Sequence, residues 1–151
     1  GTAVTGPGES VLGIRRYIAA FTLRRLHQTA FRESVITAYS STCALCRLKH
    51  RELLDAAHIV PDNLPLGDPI IKNGLCLCKI HHAAYDQNLI GISPDFVIHV
   101  RDDVLDESDG PMLLHGLQEL HKRQIILPAR KPDRPDPERL DLRFQEFRKA
   151  V

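Results

Sequence analysis

The spacing of apolar residues changes along the chain, and each spacing predicts a different element. Near the N-terminus apolar residues recur every three or four positions, which predicts two amphipathic helices over about 10–27 and 29–39. Their apolar positions are Ile14, Tyr17, Ile18 and Phe21 in the first and Phe31, Val35, Ile36 and Tyr39 in the second.

Further along, short apolar runs predict strands over about 53–60, 73–77 and 96–101. Helices are predicted over about 79–88, 113–122 and 137–150. Short strands mixed with helices in this order indicate an α+β fold. Breaks in the pattern divide the chain into a flexible leader (1–9), a basic helical segment (10–40), a compact core (41–101) and an extension that packs on the core (102–151).

Composition is that of an ordinary folded domain, with 43% hydrophobic and 26% charged residues among 151. The first residues show neither a basic nor an apolar segment of a signal peptide, and no apolar run approaches the roughly 18 residues that span a bilayer. The initial glycine leaves open whether the chain is a fragment of a longer protein with a missing N-terminal recognition domain.

The net charge of +1 gives no reason to expect a nucleic-acid partner until it is divided by region. Residues 1–50 hold seven basic and two acidic side chains, residues 51–110 hold four and eleven, and residues 111–151 hold nine and six. The basic ends are therefore candidates for contacts with phosphates, or simply solvated helix faces. The candidate contacts at the ends are Arg15, Arg16, Arg24 and Arg25, with Arg130, Lys131 and Arg134 in the tail; Arg47, Lys72 and Lys79 are further candidates within the predicted core.

Four metal-binding side chains occur as two short pairs, Cys43-x-x-Cys46 and Cys78-x-x-His81. Two such pairs, far apart in the chain, are typical of a tetrahedral zinc site, and a Cys₃His set leaves no open position on the ion. The sequence therefore predicts a structural zinc. A disulfide set and a redox Cys-x-x-Cys are weaker alternatives, since neither a secretion signal nor a βαβ pattern accompanies the cysteines. Cys76 is expected to be a small buried hydrophobic residue.

A second set of polar residues lies in the same window. His58 follows the first predicted strand, Asn73 begins the second, and His82 and Asp86 are four apart on the following helix and so share a face. Each alone is more often structural than functional. An imidazole and a carboxylate four residues apart on a helix can also bind one divalent ion together.

This arrangement resembles the HNH endonuclease family, through CALC, AAHIVP, NGLCLCKIHHAAYD and NLIGI between Cys43 and Ile92. The family's Asn-to-His spacing of nine is met by Asn73 and His82. The similarity is greatest to an AAHIxP…NGLxL…HxxYD subgroup of bacterial restriction-type endonucleases. It implies a ββα-metal (His-Me finger) core, flanked by N-terminal and C-terminal helices, in a bacterial cytoplasmic enzyme of restriction or defence.

The resemblance also implies roles for these residues. His58 is expected to act as general base and Asn73 to orient the His58 segment. His82 and Asp86 are expected to hold Mg²⁺, Mn²⁺ or another divalent ion, so that DNA is cleaved to 5′-phosphate and 3′-hydroxyl ends. Ala57 departs from the family pattern, since many members have a metal ligand there, and Asp55 is a possible replacement.

Three functions remain open at this point: a DNA endonuclease, a non-catalytic zinc-knuckle module that binds nucleic acid, and a degenerate nuclease. The last is kept open by Ala57. A homodimer is a further expectation, because cleavage of both strands by sites with one metal ion usually needs two active sites.

Overall fold

The computed structural model describes residues 7–150, with side chains from Ser10 onward. The chain divides into two compact units, residues 1–30 and 31–151. The N-terminal helix α1 runs from Pro7 to Ala38 without a break, so the prediction of two separate helices is wrong. The reason is visible in the sequence, which has neither glycine nor proline between Ile14 and Ala38. Residues 1–6 of the predicted leader lie outside the described part, and residues 7–9 already belong to α1.

The described part of the first unit is helical throughout. Its predicted apolar stripe is exposed: Tyr17 retains 72% of its accessible surface and Phe21 retains 47%. Their rings stack with centroids 6.4 Å apart, and the Arg25 guanidinium lies 5.8 Å from the Phe21 ring centre. No helix in the described part of the chain is long and apolar enough to cross a membrane.

The second unit is built around a β-hairpin followed by a helix. Strand β1 (Leu54–His58) pairs antiparallel with β2 (Gly74–Cys78), and helix α2 (Lys79–Asp86) follows directly. The register sets Leu54 opposite Cys78 and His58 opposite Gly74. This is the ββα core that was predicted, within an α+β fold.

The hairpin packs against the end of α1, where Phe31, Val35, Ile36 and Tyr39 are buried as predicted. Gly74 is needed for this contact, because a Cβ there would lie 2.5 Å from the Val35 Cγ2 atom. All five residues of β2 are buried, including Cys76, which lies in the hydrophobic core as predicted. Asn88, with a φ of 58°, follows α2 and carries the chain away from the helix direction.

The remaining elements form a second, smaller layer. Strands β3 (Ile90–Ile92) and β4 (Ile98–Val100) pair antiparallel, and helix α5 (Pro137–Lys149) packs on β3. Between them lie two short helices, α3 (Asp102–Leu105) and α4 (Pro111–Gly116). The sequence pattern missed β3 and α3, and it extended α4 too far, because the chain continues from Gly116 into a 3₁₀ turn at Gln118–Leu120.

Candidate active site and zinc cluster

The four predicted zinc ligands converge. The ligand atoms of Cys43, Cys46, Cys78 and His81 all lie within 4.8 Å of one another, the one such group of three or more His, Cys, Asp or Glu side chains within the described residues. The His81 Nδ1 atom is 3.3 Å from the Cys78 sulfur and 3.8 Å from the Cys43 sulfur. Three sulfurs and one imidazole nitrogen at this spacing fit a tetrahedral zinc ion.

Hydrogen bonds within the cluster shift the pKa values of Cys43 and Cys46 in opposite directions. Hydrogen bonding with Cys46 holds the pKa of the Cys43 thiol far below its usual range, and the same interaction raises that of Cys46. Burial lowers the pKa of His81, but its hydrogen bonds to Cys43 and Cys78 outweigh this and raise it to about 10. A shared proton network of this kind is what a zinc ion replaces when it binds.

The second ring nitrogen of His81 is also fixed. Its Nε2 atom lies 2.6 Å from the carbonyl oxygen of Gly116, so the Nε2–H donates to the backbone and Nδ1 faces the sulfurs. A backbone or carboxylate acceptor behind a histidine ligand sets its tautomer and its orientation. The cluster therefore has both the ligands and the outer partner of a zinc centre.

Asn73 lies at the opposite end of the hairpin from the zinc cluster and is fully buried. Its amide oxygen accepts a hydrogen bond from the Val60 amide at 2.9 Å, and its amide nitrogen donates to the carbonyls of Val60 at 3.0 Å and Asp68 at 3.1 Å. Its own carbonyl accepts from the Ile59 amide at 2.9 Å. Asn73 thus fixes the two residues that follow His58, Val60 through its side chain and Ile59 through its backbone carbonyl.

His82 lies between two carboxylates. Its Nδ1 atom is 2.8 Å from Asp55 Oδ2, and its Nε2 atom is 3.2 Å from Asp86 Oδ2. Asp55 also accepts from the Lys79 ammonium at 2.5 Å. Burial raises the pKa of Asp55, but the hydrogen bonds from Lys79 and His82 outweigh it, so the carboxyl has a lowered pKa and is ionised. Ala57 is completely buried and offers no ligand.

The ring of His82 separates the two carboxylates, since each of them contacts a different nitrogen. Asp86 and His82 Nε2 are suitably spaced for two ligands of one ion, because neighbouring ligands at 2.0–2.1 Å from an octahedral ion lie about 3 Å apart. Asp55 instead contacts the other ring nitrogen of His82, Nδ1.

His58 ends β1, where its ring lies against Phe31 with centroids 4.3 Å apart. The pKa of His58 is lowered, mainly by burial and also by the nearby His82. The carboxylates of Asp62 and Asp86 act in the opposite direction but do not outweigh burial. The imidazole is therefore neutral at physiological pH. The charges of His82 and Asp86 thus act on the His58 ring.

Arg143 of helix α5 reaches the same place and was missed by the sequence analysis. Its guanidinium donates to the carbonyls of His58 and Ile59, and to Tyr85 and Asp86 of α2. The available signal was its position, three residues after buried Leu140 and four before buried Phe147, which places a charge on the apolar side of a helix.

The candidate DNA contacts are distributed over both units. Arg15, Arg16, Arg24 and Arg25 are exposed on the helical first unit. In the second unit Arg47 is exposed in the turn of the first cysteine pair, Lys72 is exposed before β2, and Lys79 is paired with Asp55. Within the second unit, Lys79 is the member of this set that contacts the His82 site, through Asp55.

Comparisons with known proteins agree with these observations. Residues 43–93 match a family model described as HNH endonuclease. Among solved structures, the chain is similar to a modification-dependent TagI restriction endonuclease, with a TM-score of 0.53 and 16% identity. The match covers 78% of this chain and 37% of that protein, so the chain spans well under half the length of this relative.

A comparison with curated proteins finds no match. The family model begins at Cys43, and its residues contain all four zinc ligands together with His58, Asn73, His82 and Asp86. The ββα core and the Cys₃His cluster agree with the fold expected from the resemblance. The match over residues 43–93 supports an assignment of this core to the HNH endonuclease family.

Proposed function

We propose that the protein is a metal-dependent DNA endonuclease that leaves 5′-phosphate and 3′-hydroxyl ends. The observation that supports this most directly is the His82 Nε2 to Asp86 Oδ2 separation of 3.2 Å beside a neutral His58. A pair of metal ligands next to a proton acceptor is what hydrolysis of a phosphodiester requires.

His58 is the general base in this mechanism. A neutral imidazole can accept the proton of the attacking water, and the lowered pKa of His58 keeps the ring neutral to lower pH than a free imidazole. Asn73 supports it by fixing Ile59 and Val60, which continue the strand beyond His58. The general base His58 therefore precedes a backbone segment that hydrogen bonds to Asn73 hold in place.

His82 and Asp86 would hold the catalytic divalent ion. When bound, this ion neutralises charge that develops on the phosphate and on the departing 3′ oxygen. Asp55 orients the imidazole from its other nitrogen, as carboxylates commonly do behind a histidine ligand. Mixed nitrogen and oxygen ligands suit Mn²⁺, Co²⁺, Ni²⁺ or Zn²⁺, as well as Mg²⁺ with several waters.

The zinc cluster is assigned a structural role, since Cys₃His ligation leaves no open position. The basic side chains of α1 (Arg15, Arg16, Arg24, Arg25) and of the second unit (Arg47, Lys72, Lys79) are proposed to contact DNA phosphates. By analogy with the restriction endonuclease to which the chain is similar, we assign it the cleavage step of restriction or defence. Recognition of sequence or modification would be supplied by another domain, and double-strand cleavage by a homodimer.

Nicking of supercoiled plasmid tests the proposal. The parent protein is incubated with Mg²⁺, Mn²⁺, Co²⁺ or Ni²⁺, beside the variants His58→Ala and His50→Ala. His50 is the matched control, because it is an exposed histidine of the same unit whose ring pairs with Glu52. We expect His58→Ala to lower the rate by about 10²–10⁴-fold and His50→Ala to leave it unchanged.

Absence of nicking by the parent with every metal would overturn the proposal and favour the non-catalytic zinc module. Equal rates for the parent and His58→Ala would remove the base assignment. The termini are identified by ligation: ends carrying 5′-phosphate and 3′-hydroxyl are joined by DNA ligase without prior treatment.

A further inference from the structure

We infer that Arg143 is a positioning residue, which holds the general base and the metal-binding end of α2 in a fixed relative position. This inference rests on the proposed function. It concerns a residue of α5, outside the segment that matches the family model.

The two functional residues lie at the ends of separate elements: His58 is the last residue of β1 and Asp86 is the last residue of α2. Arg143 spans them. Its Nη1 atom donates to the carbonyl of His58 at 3.3 Å and to that of Ile59 at 3.0 Å. Its Nη2 atom donates to the carbonyl of Tyr85 at 3.1 Å and to Asp86 Oδ1 at 3.4 Å.

The environment of the guanidinium favours positioning over DNA contact. The side chain is only 13% exposed, and its plane lies over the Tyr85 ring, 4.3 Å from the ring centre. Both terminal nitrogens already face protein acceptors on the two elements. A phosphate would have to displace these acceptors, whereas an arginine that positions other groups needs them.

Lysine cannot replace arginine in this role. The guanidinium is a planar fork whose two terminal nitrogens face two directions at once, whereas an ammonium is a single point of charge. Arg143→Lys would retain the charge beside Asp86 but could reach only one of the two elements. Loosening of the catalytic geometry by about 1 Å can cost on the order of 10²-fold in rate.

Arg139 provides a matched control one helical turn earlier. Its side chain is 11% exposed, against 13% for Arg143, and it likewise donates to a backbone carbonyl, that of Leu66 at 2.8 Å. Its ion-pair partners are Asp136 and Asp68 rather than Asp86. Arg139 therefore anchors α5 to the 61–69 loop and contacts neither His58 nor α2.

The experiment compares Arg143→Lys and Arg139→Lys in plasmid cleavage, with kcat and KM measured separately. For Arg143→Lys we expect kcat to fall about 10–100-fold with KM within about twofold of the parent. For Arg139→Lys we expect kcat within about twofold. Arg143→Gln, which keeps planar amide donors but is shorter, is expected to lose at least as much activity as Arg143→Lys.

A second measurement does not depend on activity. Amide hydrogen exchange is followed at Val60, whose amide is bonded to Asn73, and at Asn88, whose amide is bonded to the Tyr85 carbonyl. Arg143→Lys removes the bridging contacts that join the end of β1 to the end of α2, so amide exchange should accelerate at both Val60 and Asn88. Arg139→Lys should accelerate it at neither. Coordinated acceleration on two elements is what a purely local packing defect would not produce.

The outcomes separate this inference from the proposed function. Equal losses of kcat in the two lysine variants would overturn the positioning role. A raised KM with a changed salt dependence in Arg143→Lys alone would also overturn it and indicate a phosphate contact. An inactive parent would refute the proposed function, and unchanged exchange at Val60 and Asn88 would then refute the bridge as well.

Discussion

His81 and His82 are neighbours in α2, yet they lie in two environments with little in common. His81 is 3% exposed, with one ring nitrogen facing thiol sulfurs and the other facing a backbone carbonyl. The side chain of His82 is 28% exposed, and both of its nitrogens face carboxylates. Consecutive helical residues are rotated by 100°, so one turn of α2 contributes to two different sites.

The difference between the two sites lies in how complete they are. The zinc cluster collects four ligands from the protein and leaves no open position for a substrate. The His82 site collects two ligands for one ion, and water and substrate must provide the rest. We therefore expect the first site to determine stability and the second to determine rate, and the predictions below test that separation.

Removal of the zinc cluster is expected to have the largest effect. Cys43→Ser removes a buried ligand, so the protein should lose its zinc and a large part of the roughly 10–16 kcal/mol that structural zinc contributes in small zinc domains. Metal analysis and thermal unfolding measure both. Cys76→Ala is the control, since Cys76 is buried outside the cluster and this variant should retain zinc. A full zinc equivalent in Cys43→Ser would refute the ligand assignment.

The reverse experiment changes the neighbouring residue. His82→Ala should retain zinc and unfold within about 1 kcal/mol of the parent, because its side chain is partly exposed. Its cleavage rate should fall about 10³-fold, since several kcal/mol of charge stabilisation depends on the ion that it binds. If His82→Ala lost zinc or stability to the same extent as Cys43→Ser, the two sites would not be separate.

Asp55→Asn should have an intermediate effect. Asparagine keeps the shape of the side chain but removes the charge that faces His82 Nδ1, 2.8 Å away. Loss of such an outer partner typically costs about 10–100-fold in metal affinity. Titration with Mn²⁺, followed by cleavage rate and by calorimetry, should show a shifted midpoint with little change at saturating metal. An unchanged midpoint would show that Asp55 does not orient the ligand.

The smallest effect concerns the pH dependence of His58. Burial lowers its pKa below 6.5, so the ring binds a proton only at more acidic pH, and kcat/KM should begin to fall below pH 6.5. Phe31→Leu should move this acidic limb upward by a fraction of a pH unit, because it removes the ring that covers His58. An acidic limb above pH 6.5 in the parent would contradict the assignment of His58 as a buried base.

Features that depend on neighbouring residues in the sequence could be predicted more readily than long-range contacts. The four zinc ligands could be predicted because a short spacing fixes each pair, Cys43 with Cys46 and Cys78 with His81, whereas the ββα core was implied by the resemblance to the HNH endonuclease family. The continuous helix α1 could have been predicted from the absence of glycine and proline between Ile14 and Ala38, but its apolar residues were assigned to two helices. The exposure of Tyr17 and Phe21 could not have been predicted, because apolar periodicity does not show what packs against a helix face.

Arg143 shows why the rest of the site was out of reach. Its acceptors on β1 are backbone carbonyls, 84 and 85 residues away in the chain, and a carbonyl has no sequence signature. Strand alternation placed Asp55 on the same side of the strand as Ala57, as a possible metal ligand. That it faces Nδ1, on the other side of the ring from Asp86, depends on a side-chain conformation that only the structure provides.

The hydrogen bond from His81 to the Gly116 carbonyl has a consequence for protein engineering. Because the acceptor is the peptide linkage, no exchange of side chains at residue 116 deletes it, and alanine scanning would report nothing about the bond itself. An ester in place of the amide between residues 116 and 117 would weaken that acceptor while leaving every side chain intact. Chemical ligation of a synthetic C-terminal segment is therefore the direct way to adjust how firmly the zinc ligand is held.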